Sequence, residues 1–282
     1  MDFTAHVADG LAGFTSPVDG VADGTDGVVR FSVLGPLEVL KDGVDHAPRT
    51  PKILQLLAML VVQPGKVVHV DSIINELWAN DPPRSVRKTM HTYVHHLRKS
   101  FEHNGLVPDA EDILITKPPG YLFRIEPSQV DVFTFQRQNW LGREFLRDGN
   151  YVDAAHSFRT ALDLWSGPPM ANVQCGPVLS AYSVELLEQR RSALHMRIEA
   201  EIRSGMHRDL IGELRSLVAG NPLDEGLHGQ LMRVLGRSGR RSDAMASYRQ
   251  LRARLNDELG VEPCDELQLL HRELLSEGEH TS

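Results

Sequence analysis

The sequence contains few cysteines, and neither lies in a recognisable motif. Cys175 and Cys264 are the only two in 282 residues, and no CxxC pair or zinc-type Cys/His spacing surrounds either one. Disulfide-stabilised domains carry several cysteines, and structural zinc sites need ligands that are paired in sequence. The sequence therefore excludes a disulfide framework and favours two incidental thiols.

Long apolar runs and a basic N-terminus are also missing. No segment reaches the roughly 18 apolar residues that a membrane-spanning helix needs. Residues 1–28 contain five aspartates and no lysine or arginine, so they lack the basic start of a signal peptide. Their Gly- and Asp-rich composition without apolar periodicity predicts a disordered acidic arm. We therefore expect no membrane association and a cytoplasmic protein.

Motifs that would indicate an enzyme are absent as well. The sequence has no GxSxG, HExxH or GxGxxG, and its nearest approach to a phosphate-binding loop, GPLEVLK, lacks the second glycine and the final Ser or Thr. Without these residues the backbone cradle for a nucleotide phosphate does not form. We expect no catalytic residues, no cofactor and no metal.

The acidic balance of the chain is unevenly distributed. The formal net charge is −8, of which residues 1–29 carry −5, residues 30–127 carry +1 and residues 128–282 carry −4. Between Pro82 and Phe101 there are five Lys or Arg side chains and no Asp or Glu. Because the sign of a local surface decides whether nucleic acid can bind there, this segment is a candidate DNA-binding element.

Residues 29–127 have the element order of a winged helix-turn-helix domain. Short alternating runs over 28–46, broken by a Gly-Pro and an Asp-Gly turn, predict an antiparallel β-meander. Two β-branched runs over 113–125, around a Pro-Pro-Gly turn, predict a closing hairpin. Apolar residues at helical spacing predict three helices between them, over 51–62, from Asp71 or Ser72 to Trp78, and from about Arg84 to Phe101.

From Asp131 onward the strand signals disappear, and helical stripes predict an all-α domain over residues 131–278. Gly142, Ala154 and Phe158 follow the small/large spacing of a tetratricopeptide helix pair. A similar pattern begins at Leu210 and recurs 34 residues later. The predicted fold class is an α+β winged helix-turn-helix domain followed by an all-α, tetratricopeptide-like domain.

The third predicted helix has an apolar stripe on one side and polar residues on the other, which suits a helix that enters the major groove of double-stranded DNA. A lysine at the hairpin turn would reach a flanking minor groove or phosphate. The predicted DNA-binding residues are Arg84, Arg87, Lys88, His91, Thr92, His95, Arg98, Lys99 and Lys117.

Several stretches resemble the actinobacterial SARP family, the Streptomyces antibiotic regulatory proteins: ELWANDPPRS, MHTYVHHLRKSF, ITKPPGYLFRI, ALDLWSGPPM and RLNDELGVEPCDELQLLHREL. The resemblance covers about residues 30–276. It implies an OmpR-type winged helix joined to a bacterial transcriptional activation domain. The chain departs from the family at His91, His95 and His96, where surface Gln, Ser or Arg are common, so the resemblance predicts the mode of DNA binding but not the base preference.

The resemblance also implies function and partners. It implies a transcriptional activator of secondary-metabolite genes that binds direct repeats in promoter DNA near the −35 region as a dimer, at the nucleoid. It implies recruitment of RNA polymerase holoenzyme with its sigma factor, and it makes Asn80 and Asp81, in the loop before the third helix, the expected polymerase contacts.

Other interpretations stay open from the sequence. The basic face could simply be solvated, His91 and His95 could bind a metal, and Asp81 could only cap the third helix. The chain could be a helical-repeat adaptor for proteins, or a regulator gated by a metabolite. We also expect a fragment ending near Pro127 to fold on its own core.

Overall fold

The computed structural model describes residues 27–79, 81–206 and 209–276. Within these residues, strands occur only before residue 124 and the remainder is helical. The predicted fold class, an α+β winged helix-turn-helix domain followed by an all-α domain, is confirmed. Residues 1–26 lie outside the described residues, so the disordered arm stays a prediction.

The N-terminal β-meander is present as predicted. Its strands pair antiparallel in the order β1-β2-β3. Both residues of the turn between β2 and β3 have positive φ, 52° at Asp42 and 78° at Gly43, as in the tight two-residue turns that match strand twist. The strands are β1 (Arg30–Ser32), β2 (Glu38–Lys41) and β3 (Val44–Asp45).

Three helices follow, although two begin at different residues from those predicted. They are α1 (Pro51–Val61), α2 (Val70–Trp78) and α3 (Val86–His103). Helix α3 begins two residues later than predicted, because Arg84 lies in a turn that follows two prolines. The N-cap of α3 is Ser85, so the alternative in which Asp81 caps this helix is wrong. Helix α2 begins at Val70 after His69, and neither Asp71 nor Ser72 is its N-cap.

The closing hairpin consists of β5 (Leu114–Lys117) and β6 (Gly120–Phe123), which pair antiparallel. A third strand that the sequence analysis missed, β4 (Val67–His69), pairs with the other edge of β6. Three residues are too few for an alternating pattern to stand out, so only the tertiary structure reveals β4. The hairpin is called the wing below.

The helical part begins at Asp131, as predicted. In its first helix pair, a β-carbon at Gly142 would lie 2.8 Å from the ring of Phe158, so the small residue permits the close packing expected of such a pair. No helix of the described residues is long and apolar enough to cross a membrane. The helices are α4 (Asp131–Arg147), α5 (Tyr151–Leu162), α6 (Pro177–Arg203), α7 (Leu210–Gly220), α8 (Glu225–Arg237), α9 (Arg241–Leu259) and α10 (Asp265–Ser276).

The described residues form two hydrophobic cores. The boundary between these cores does not coincide with the boundary between the strand-containing part and the all-helical part of the chain. The first core joins the winged helix to α4, α5 and one face of α6. The second core packs the opposite face of α6 against α7 to α10. In α6, Ala193 and Ala200 belong to the first core, whereas Ile198 and Ile202 belong to the second.

Polar contacts also join the winged helix to the helical part. The Asp131 carboxylate accepts hydrogen bonds from the backbone N–H groups of Val33 (2.9 Å) and Leu34 (3.0 Å). The Asn172 side chain accepts from the Leu37 N–H (2.6 Å) and donates to its carbonyl (3.1 Å). A fragment ending near Pro127 would lose these partners and the 13 of the first core's 38 buried residues that follow residue 127. Its independent folding stays a prediction.

Candidate DNA-binding surface

Helix α3 has one buried face and one exposed face. Its apolar side chains at Met90, Val94, Leu97 and Phe101 are buried in the first core. The opposite side faces solvent over a length of roughly 27 Å at 1.5 Å per residue. The predicted contact residues that are exposed on α3 are Arg87, Lys88, His91, Thr92, His95 and Lys99.

Helix α3 is held against the preceding helix by an aromatic stack. The rings of Trp78, at the end of α2, and Tyr93 lie 6.0 Å apart with an interplanar angle of 13°. Aromatic pairs of this kind contribute about 0.5–1.5 kcal/mol beyond the area that they bury. The stack therefore stabilises the packing of α3 against α2.

An acidic residue reaches this face from outside the basic segment. The Arg87 guanidinium lies 2.9 Å from the carboxylate of Asp71 on α2, and both side chains are largely exposed (67% and 82%). Exposed pairs of this kind contribute little to stability. Asp71 therefore holds Arg87 loosely and competes for it with any phosphate or base. The sequence of residues 82–101 could not reveal this pair, because Asp71 lies outside that segment.

His91 connects α3 to the wing. Its Nδ1 and the phenolic oxygen of Tyr121 on β6 are 2.7 Å apart, and the two rings meet edge to face. Tyr121 is buried, and burial raises the pKa of its phenol, whereas the charge of Arg98 lowers it. Because one ring nitrogen of His91 is shared with Tyr121, only the other remains for DNA.

Arg98 differs from the other predicted contacts because its guanidinium is used inside the domain. Its side chain is only 17% exposed. It donates to the Leu114 carbonyl from Nε (3.0 Å) and Nη2 (2.6 Å), and it also contacts Thr116 Oγ1 (2.9 Å). Glu111 completes an ion pair at 3.3 Å. Arg98 therefore connects α3 to β5 and does not face outward with Arg87 and Lys88.

The remaining predicted residues flank the helix. Lys117 is exposed at the end of β5, opposite Gly120 and beside the Pro118-Pro119 turn at the tip of the wing. Arg84 and Asp81 are exposed in the loop before α3, where the Asp81 N–H donates to the Trp78 carbonyl at 3.0 Å. Asn80 lies outside the described residues, so its role as a polymerase contact stays a prediction.

The exposed face of α3 also carries His91 and His95, which the sequence analysis considered as metal ligands. Within the described part of the chain, no three His, Cys, Asp or Glu residues come together as a metal-binding group. The exposed side of α3 instead presents two cations, Lys88 and Lys99, that have no ion pair with any described residue, next to the imidazole of His95. A cationic helix face beside an exposed wing has the size and charge expected of a surface that enters a major groove.

Family models match both halves of the chain. The model described as "Transcriptional regulatory protein, C terminal" matches residues 45–123, which contain α1 to α3 and the wing. The model described as "Bacterial transcriptional activator domain" matches residues 130–275.

Curated relatives agree with these matches. The chain is 36% identical to regulatory protein DnrI of Streptomyces peucetius, over 88% of this chain and 92% of the relative. It is 33% identical to regulatory protein AfsR of Streptomyces coelicolor, over 88% of this chain but only 24% of that relative. It is 33% identical to transcriptional regulatory protein EmbR of Mycobacterium tuberculosis, over 87% of this chain and 63% of EmbR.

A solved structure supports the fold over most of the chain. The structure of Mycobacterium tuberculosis EmbR in complex with a low-affinity phosphopeptide matches with a TM-score of 0.82 and 32% identity, covering 88% of this chain and 65% of that one. Members of this family are transcriptional regulators rather than enzymes. The winged helix, the activator domain and the relatives together show that the chain belongs to the SARP family of transcriptional activators.

Proposed function

We propose that this protein is a sequence-specific activator that binds direct repeats in promoter DNA near the −35 region and recruits RNA polymerase holoenzyme. Its family membership supports a regulator of secondary-metabolite genes, such as those for antibiotic biosynthesis. A regulator of this kind acts on the chromosome, which in a bacterium means the cytoplasm and the nucleoid.

The observation that carries the proposal is the exposed face of α3. It offers Arg87, Lys88 and Lys99 to the phosphates and bases of one major groove, while His91, Thr92 and His95 lie between them. Arg or Lys can pair with guanine edges, and an imidazole or hydroxyl can bond to several bases. Lys117 on the wing would contact the flanking backbone, which sets the orientation of the domain.

The helical part supplies the remaining functions in this proposal. Residues 128–282 carry a net charge of −4, so they contribute little to DNA affinity. Stacked helix pairs expose curved surfaces that suit protein partners. We therefore assign self-association on adjacent half-sites, and part of the contact with polymerase and its sigma factor, to residues 131–278.

The test is selection of binding sites from a random duplex pool with the 282-residue chain, followed by run-off transcription from a promoter that carries the selected site. We expect a direct repeat to be enriched and transcription to increase. The affinity should fall with salt at a log-log slope of about −0.9 for each phosphate neutralised. No enrichment, together with salt-independent binding, would favour the protein adaptor instead.

A further inference from the structure

A buried carboxylate of the helix-turn-helix reaches the N-terminus of the longest helix in the helical part. Glu76 lies on α2 and is 2% exposed. Its Oε1 accepts a hydrogen bond from the Gly176 N–H at 2.5 Å. Its Oε2 accepts from the N–H groups of Val178 (2.8 Å) and Leu179 (3.2 Å). We call this group of contacts the interdomain cap.

The sequence of α6 leaves this position without a cap of its own. The first N–H groups of a helix lack partners within the helix, and a Ser, Thr, Asp or Asn at the N-cap normally accepts from them. Here the N-cap is Gly176, which has no side chain, and Pro177 follows at the first helical position without an N–H. Glu76 therefore does from another domain what the N-cap residue usually does locally, and the partial positive charge of the helix end favours its carboxylate.

The cap is tightly enclosed on both sides. A β-carbon at Gly176 would lie 2.1 Å from the Glu76 carbonyl oxygen, so only glycine allows α6 to approach α2 this closely. On the other side, Gln55 of α1 is also buried, and its Nε2 donates to the Glu76 carbonyl (2.8 Å) and to Oε1 (3.2 Å). A buried carboxylate is tolerated only when such donors surround it.

We infer that Glu76 is a positioning residue that fixes the angle between the helix-turn-helix and the activator domain. Glu76 lies two residues before Trp78, where the loop to the recognition helix begins. Together with the shared first core and the Asp131 and Asn172 contacts, the cap therefore sets where the helical part lies once α3 is seated in DNA. This inference rests on the proposed function, because it assigns the cap a role in activation rather than in operator affinity.

The experiment compares operator affinity and run-off transcription for Glu76→Gln and Gly176→Ala, which disturb the cap from opposite sides. Glu188→Gln on the exposed surface of α6 is the matched control, since it removes the same charge from a side chain outside the cap. We expect both cap variants to bind the selected operator like the parent chain. Transcription at saturating protein should fall by about two- to thirtyfold, the usual range for mutations that alter coupling between sites.

A second readout needs no DNA. Spin labels introduced through a ketone-bearing amino acid at Val44 and Leu269, both exposed, report the distance between β3 of the winged helix and α10 of the helical part. In the cap variants this distance distribution should become broader or shift, whereas in Glu188→Gln it should match that of the parent chain. Glu76→Asp, which keeps the charge but shortens the side chain, gives a milder lesion should Glu76→Gln fail to fold.

Two results would overturn the inference. One is an unchanged distance distribution with unchanged transcription in both cap variants. The other is a loss of transcription that only follows a loss of operator affinity or of folded protein. If the parent chain itself selects no operator, the proposed function fails, and the spin-label distances alone still decide whether Glu76 fixes the angle between the domains.

Discussion

The Nδ1 of His91 lies 2.7 Å from the hydroxyl of Tyr121, and this contact joins α3 to β6 of the wing. This hydrogen bond orients the imidazole of His91, which the sequence alone indicates only as an exposed side chain of α3. A side chain held in one orientation loses less entropy on binding. If His91 contacts DNA as proposed, the Tyr121 hydroxyl should contribute to DNA binding without touching DNA.

Tyr121→Phe should weaken operator binding by about two- to tenfold, the loss that corresponds to one hydrogen bond. The ring remains, so the fold should persist. Fluorescence anisotropy with the selected operator measures the change. Tyr93→Phe is the control, since it removes the same atom from a ring that stacks on Trp78. Equal affinities for Tyr121→Phe and the parent chain would contradict a role for the contact.

Arg87→Ala and Lys88→Ala should have different effects on DNA binding. If Arg87 reads a base, its loss should cost about 1–3 kcal/mol and relax one position of the operator. Loss of a phosphate contact at Lys88 should weaken binding to all sequences and reduce the salt slope by about one. Gel-shift titrations at two salt concentrations measure both effects. Arg30→Ala removes an exposed cation from β1 and should change neither quantity, and wild-type affinity in both α3 variants would refute the assignment.

Arg98→Ala should lower the free energy of unfolding by about 1–3 kcal/mol, because it removes charged hydrogen bonds to the Leu114 carbonyl and Thr116. Urea denaturation followed by circular dichroism measures the loss. Lys99→Ala, on the exposed side of the same helix, should leave stability unchanged. A stable Arg98→Ala protein whose only defect is in DNA binding would restore Arg98 to the DNA contacts.

The pH dependence of stability should contain a contribution from Asp131. Burial raises its pKa to about 6 from 3.8, although hydrogen bonds from the Leu34 and Val33 N–H groups oppose this rise. Between pH 7 and pH 5 the folded chain therefore takes up a proton that the unfolded chain does not. Through this site alone, the free energy of unfolding should increase by about 1 kcal/mol as the pH falls over that range.

Urea unfolding of the parent chain and of Asp131→Asn at pH 7, 6 and 5 tests this contribution. The parent chain should gain stability relative to the variant as the pH falls, since the variant has no proton to take up. Asp163→Asn changes an exposed aspartate in the same way and serves as the control. Parallel curves for the parent chain and Asp131→Asn would show that Asp131 does not titrate with a raised pKa.

Asp81→Asn should lower run-off transcription without changing operator affinity or stability. Asp81 is exposed and does not cap α3, so its charge has no structural use that the described contacts show. Loss of charge toward polymerase is then the remaining physical effect. Asp148→Asn, an exposed aspartate at the end of α4, controls for the change in net charge. Unchanged transcription from Asp81→Asn would assign activation to the helical part alone.

The sequence predicted those parts of the fold in which one face of an element is buried. Alternation identified the meander and the wing, and the spacing of Met90, Val94 and Leu97 identified the recognition helix. Helix α6 gave a weak signal because it is buried on two faces, so apolar residues surround it without a single stripe. The contacts of Asp71 and Glu76 could not be predicted, because their partners lie 16 and about 100 residues away.

The shared position of α6 between two cores also bears on how the chain unfolds. The two family models divide the chain between residues 123 and 130. The two cores nevertheless share helix α6, because Ala193 packs in the first core and Ile198 in the second. Unfolding of either core removes packing contacts from α6, and the opposite face of α6 forms part of the other core. The described residues should therefore lose structure in a single cooperative transition, although proteins with two domains commonly unfold in separate steps.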